Sequence, residues 1–190
     1  MRPLVLAAAV LLAACRTEEA APPAPVALTE ESVGYYCQMN LWEHPGPKAQ
    51  VHLQGVLAPL FFSQVRDAIA YQRMPEQAYP IAVVYVNDMG AAESWEQPGA
   101  ENWIPAADAF YVVGSAATGG MGAPEIVPFA DPAAAAAFAA EKGGTVLTLD
   151  RIGDEAVLAP VEPEGGGDGI AAGSDDYRAR LDALRADQGD

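Results

Sequence analysis

The sequence predicts an α+β protein made of two small β-β-α-β units in tandem. Each half carries two short segments with strand patterning, then one segment with helical signals, then a further strand. Composition also shifts at both ends, to Ala, Pro and Glu before Thr29 and to Gly, Glu and Asp after Pro160. The folded region is therefore read as 32–159, with a first unit over 32–90 and a second over 91–159.

The chain opens Met1-Arg2-Pro3 and runs into the apolar stretch Leu4 to Leu12, too short to span a membrane as a mature helix. It continues Leu12-Ala13-Ala14-Cys15, which resembles a bacterial lipoprotein cleavage box. That resemblance implies a signal peptide over 1–14, cleavage before Cys15 and lipidation of its sulfur, which would hold the protein on a membrane. The inner-membrane retention signal of such lipoproteins is usually Asp at the next position. Arg16 stands there, which favours the periplasmic face of the outer membrane. Residues 15–31 form the lipid-anchored linker, and their Ala-, Pro- and Glu-rich part reads as a disordered tether.

In the first unit, Tyr35 to Leu41 reads as a strand and Pro45-Gly46-Pro47 as a turn. Lys48 to Gln54 alternates, with Val51 and Leu53 on one side and Gln50, His52 and Gln54 on the other, so it reads as the return strand. A helix is expected from about Pro59 to Arg73, with Phe61, Val65 and Ile69 on one face and Met74-Pro75 closing it. Ile81 to Val86 is a buried strand stopped by Asn87-Asp88.

The second unit repeats the order. Ala109 to Val113 is a strand, Gly114 to Gly122 a glycine-rich loop, and Glu125 to Phe129 the return strand, with Pro128 marking an edge. Asp131 caps a helix that Pro132 starts, Phe138 continues and Gly143-Gly144 ends. Thr145 to Leu149 is the last strand. Residues 160–190 read as a disordered acidic tail, in which Asp175 to Ala186 has a thin helical stripe of Tyr177, Leu181 and Leu184.

The charge is −16, from 26 acidic and 10 basic residues, and becomes −17 if Arg2 leaves with the signal peptide. Such a chain repels nucleic acid and anionic lipid, and attracts cations or a basic partner. The sequence has two cysteines, and lipidation would consume Cys15. Cys37 is then a lone thiol in an oxidising compartment, with no internal disulfide open to it.

Cys37-Gln38-Met39 is the leading chemical feature. On a strand its two sulfurs share a face. A thiolate beside a thioether suits a soft ion, with copper(I) first among them. Met121, in Gly119-Gly120-Met121-Gly122, sits where little core packing is expected, so its side chain is free for another use. His44, just after the strand, and His52, across the expected hairpin, are rival nitrogen donors. Met74 and Met89 read as structural or surface residues. Two competing readings are a non-metal interaction lipoprotein, with Cys37 buried among Tyr35, Tyr36 and Leu41, and a thiol-dependent enzyme. The second gives Met39 no role. No Gly-x-Ser-x-Gly, paired-His zinc or phosphate-loop motif occurs, so the chain is not expected to be an enzyme.

Several separated motifs together resemble the NosL lipoproteins: the lipobox, Cys37-Gln38-Met39, His44 to Gln50, Phe61 to Asp67 and Gly119 to Pro124. The resemblance covers most of 32–159 and leaves out the acidic tail. It implies a periplasmic copper(I) chaperone for assembly of the copper-sulfide centre of nitrous oxide reductase in denitrifying bacteria. Nitrous oxide reductase and its assembly machinery are then the expected partners. It implies two β-β-α-β domains similar to part of organomercurial lyase, without that chemistry, which needs a cysteine pair this chain lacks. It also implies Cys37 and Met39 as copper ligands and Met121 as the residue that completes the site.

Overall fold

The computed structural model describes residues 21–161. The lipobox with Cys15 and the Asp175 to Ala186 segment lie outside the described residues. The expected α+β class is observed, as two antiparallel sheets with few helices.

The first sheet contains β1 (Ala49–Leu53), β2 (Leu60–Phe62), β3 (Ile81–Asn87) and β4 (Trp103–Pro105), in the order β2-β1-β3-β4. Helix α1 (Val65–Arg73) joins β2 to β3. The second sheet contains β5 (Phe110–Val113), β6 (Val127–Phe129) and β7 (Thr145–Thr148), in the order β6-β5-β7, with α2 (Pro132–Lys142) before β7. A short α3 (Asp154–Leu158) follows. The order β-β-α-β occurs in both units, and β4, which falls in the stretch 91–159 expected to form the second unit, joins the first sheet instead by pairing with β3.

The first unit is assembled from other segments than expected. Tyr35 to Leu41 is not a strand, so Lys48 to Gln54 supplies the first strand and not the second. The second strand, Leu60–Phe62, was expected to be the start of the helix. Aromatic residues fit a pleated ladder well, and β2 pairs Ala49 with Phe62 and Val51 with Leu60. The chain then passes through Gln64 in extended conformation before turning helical. The helix ends where expected, with Met74 extended ahead of Pro75. The second unit follows expectation closely. Asp131 accepts from Ala133 N at 2.9 Å as the N-cap of α2, and Pro128 lies on the edge strand β6.

Ala49, Val51 and Leu53 of β1 pack into the core with Val65 and Ile69 of α1 and Val86 of β3. The same core continues into the second unit through Tyr111, Ile126, Ile152 and Val157. The opposite face of β1 is buried too, although Gln50 and His52 were expected to be its polar side. The N-terminal segment covers it. Gln50 accepts from Val26 N at 2.8 Å and donates to Val26 O at 3.0 Å, while Tyr85 donates to Pro23 O at 2.8 Å. Leu28 is buried and donates through its amide to Ala100 O. The segment read as a tether is thus fastened to the sheet from Pro23 onward.

Candidate metal centre

Cys37 lies in a tight turn. Gln38 N donates to Gly34 O at 2.9 Å, and Gly34 N donates to Met39 O at 3.0 Å. An isolated antiparallel bridge between Val33 and Asn40 closes its base. Gln38 has φ 56° and donates through its side-chain amide to Tyr35 O at 2.6 Å. A left-handed residue turns the backbone sharply. The two sulfurs therefore do not share a strand face, as expected from alternation; they flank Gln38 around one turn.

The turn is braced from below. Tyr35 N donates to Phe61 O at 2.6 Å. The rings of Tyr35 and Tyr36 pack edge-on against Phe62 and Tyr71, with centroids 5.2 to 6.4 Å apart. Tyr36 also donates to the Glu76 carboxylate. Cys37 is a free, half-buried thiol whose sulfur occupies the space over Gly34. Met39 is 42% exposed.

Met121 is 46% exposed and sits on a loop held from two sides. Its amide donates to Gln64 Oε1 at 2.7 Å, and His44 Nδ1 lies 2.9 Å from Gly120 O. Gly119 N donates to Ala123 O, and a bridge between Thr118 and Pro124 closes the loop. A carbonyl only accepts, so Nδ1 carries the proton in a neutral His44 ring and Nε2 keeps its lone pair. That Nε2 is buried and has no partner among the described residues.

His52 is placed elsewhere. The hairpin that would have carried it over Cys37 does not form, because β1 pairs with β2 and β3. Its Nε2 meets Gln50 Oε1 at 2.8 Å and its ring packs edge-on against Tyr85. Burial lowers its pKa below the usual imidazole range. Met89 packs with Trp95 in the second core, and Met74 caps α1.

Three buried polar residues behind the loop escaped the sequence reading. Lys48 donates through Nζ to Pro45 O at 3.0 Å and to Gly46 O. Burial pushes it down to about 8, while the Glu125 and Cys37 charges pull it the other way. Glu125 is raised to about 8, chiefly by burial, against the amides of Ile126 and Arg66 that donate to its Oε1. Gln64 is 1% exposed, and neither its Nε2 nor Glu125 Oε2 has a partner among the described residues. The only available signal was a charged residue at the end of an apolar strand. Nothing in the spacing of residues 48, 64 and 125 says that folding buries all three.

The protein-family model described as NosL matches residues 25–157. The copper-binding lipoprotein NosL of Achromobacter cycloclastes is 59% identical over 182 residues, 95% of this chain and 93% of that protein. The copper-binding lipoprotein NosL of Stutzerimonas stutzeri is 36% identical over 135 residues, 70% of this chain and 68% of that one. The crystal structure of the copper chaperone NosL from Shewanella denitrificans superposes with a TM-score of 0.64 at 32% identity. It covers 69% of this chain and 97% of that one.

Proposed function

From its membership of the NosL family, to which this chain belongs, we propose that the protein is a copper(I) chaperone. The ion is its cargo, and Cys37, Met39 and Met121 are the ligands. The observation that carries this reading is the placement of the sulfur residues: a free, half-buried thiol and two methionines, 42% and 46% exposed, stand on braced turns outside the core clusters. A thiolate with thioethers is a soft set that selects copper(I) over zinc. Low coordination leaves one side of the ion open, so a partner thiolate or imidazole can attack and take it stepwise. The protein then acts as a stoichiometric carrier, not as an enzyme.

The destination we propose is the copper-sulfide centre of nitrous oxide reductase, reached with the other members of its assembly machinery. Lipidation of Cys15 would hold the chaperone at the periplasmic face of a bacterial membrane, with the outer membrane favoured. The names of the relatives as copper-binding lipoproteins support both the cargo and the anchor.

Anaerobic copper(I) titration against a chromophoric competitor tests the site. Cys37→Ala, Met39→Ala and Met121→Ala should each bind more weakly than wild type, Cys37→Ala most of all. A wild type that binds no more tightly than Cys37→Ala would sink the chaperone reading and leave the non-metal interaction lipoprotein. One observation favours a second reading of the third ligand. Metal-bound histidines commonly donate their other N–H to a carbonyl, and His44 does so to Gly120 while its Nε2 has no partner among the described residues. If His44→Ala weakens binding and Met121→Ala does not, His44 takes that place.

A further inference from the structure

We infer that Gln64 is the positioning residue for Met121: its buried amide, beside Glu125, fixes the Gly119–Met121 backbone at the place where the thioether meets the cargo. This rests on the proposed role of Met121 as a ligand.

Gln64 occupies the N-cap position of α1 but makes no side-chain cap bond there. Its side chain instead spans to the other unit and accepts the Met121 amide at 2.7 Å. That bond fixes the amide orientation. An N–H needs an acceptor, so Oε1 faces Met121 and Nε2 points away. Among the described residues Nε2 is buried without a partner, and so is Glu125 Oε2. Both residues converge on Gly119, where an added Cβ would lie 2.4 Å from Glu125 Oε2 and 2.8 Å from Gln64 Cδ. The other Glu125 oxygen is held by Arg66 N at 3.2 Å and Ile126 N at 2.9 Å. Glu125, held by the first turn of α1, and Gln64, bonded to the backbone of Met121, thus crowd the same glycine.

The Gln64 bond answers a problem set by the loop sequence. Glycines at 119, 120 and 122 give the backbone freedom, and methionine adds three rotatable bonds. A ligand on such a loop binds well only if its backbone is fixed from outside, and groups behind the ligands commonly do this. Gln64 fixes Met121 at its own amide, the point nearest the side chain.

The test is copper(I) affinity of the full chain in a double-mutant cycle of Gln64→Leu and Met121→Ala, with the methionine ε-methyl NMR signals followed on loading. Gln64→Leu should weaken binding about 10- to 100-fold when Met121 is present and no further when it is absent. Its Met121 methyl should lose the copper-induced shift while that of Met39 keeps it. Exchanging the two groups, as Gln64→Glu with Glu125→Gln, keeps an acceptor for the Met121 amide and should restore wild-type affinity. That exchange also decides the matter if Gln64→Leu does not fold: a folded exchange variant as weak as Met121→Ala overturns the inference. So does an equal loss from Gln64→Leu in both backgrounds, since that marks a general structural role. If Met121→Ala is weak and Gln64→Leu binds as wild type, the inference falls alone. If Met121→Ala binds as wild type, the ligand reading falls and the inference with it.

Discussion

Gly34 has no side chain where the Cys37 sulfur needs room. A Cβ there would lie 2.4 Å from Sγ and 3.4 Å from Leu41 Cδ2. Leu41 is buried and cannot retreat, whereas the thiol ends a half-buried side chain and can rotate away. Gly34→Ala should therefore cost about 1–3 kcal/mol of stability and displace the sulfur. Copper(I) affinity should fall about tenfold or more, read by the same competitive titration, while circular dichroism stays native. Unchanged affinity would mean that the position of Cys37 over Gly34 does not matter to the cargo. The same turn shows what a sequence hides at this scale. Cys37 and Met39 stood out by chemistry alone, and Met121 by its glycines. The geometry joining the first two depends on a left-handed Gln38, and glutamine carries no such signal, since Gly, Asn and Asp are the usual residues there.

Helix α1 gets its N-terminal partner from the other unit. Gln64 leaves the first turn uncapped, and Glu125 accepts the Arg66 amide across the interface. The carboxyl is fully buried, and its pKa rises from an ordinary 4.5 to about 8. A raised carboxyl pKa means that the folded state binds the proton more tightly than the unfolded state. Its stabilising contribution is thus complete below about pH 4.5 and is lost as pH rises toward 8. The slope is at most about 1.4 kcal/mol per pH unit. Lys48, lowered to about 8 by the same burial, begins to titrate only at the top of that window. Glu125→Gln keeps the oxygen that accepts from Arg66 and Ile126 and removes the ionisation. The stability of wild type relative to this variant, from chemical unfolding at a series of pH values, should fall between pH 4.5 and 8. A difference that stays flat or rises would show that Glu125 is ionised in the fold at neutral pH. Elements with local signals were legible: α2 was announced by Asp131-Pro132 and Gly143-Gly144, and β6 by Pro128. The α1 boundary was not, because Phe61 fits the helical stripe as well as the ladder. The choice was made by pairing with β1, a contact the local sequence does not contain.

The two units share one core and several hydrogen bonds. Val51, Ile69, Tyr111 and Ile152 belong to one continuous core. Arg66 of α1 donates through Nε to Val157 O at 3.1 Å and through Nη2 to Ala159 O. Arg73 reaches Ile152 O and Asp154, both at 2.7 Å. The proposed ligands divide in the same way, with Cys37 and Met39 on one unit and Met121 on the other, so separating the units would also dismantle the site. Urea unfolding should accordingly give one transition, coincident by circular dichroism and tryptophan fluorescence. The tryptophans sample both regions, since Trp42 lies beside the turn and Trp95 stacks on Phe138 of α2. Arg66→Met keeps most of the apolar stem and strands the two carbonyls, which should cost about 1–3 kcal/mol. That loss should lower the midpoint and leave the slope unchanged, because the same surface is exposed in one step. Two separated transitions in Arg66→Met would show that the arginine, and not the shared core, couples the units. Two transitions in wild type would show that each unit folds alone, with copper then free to act as the link between them.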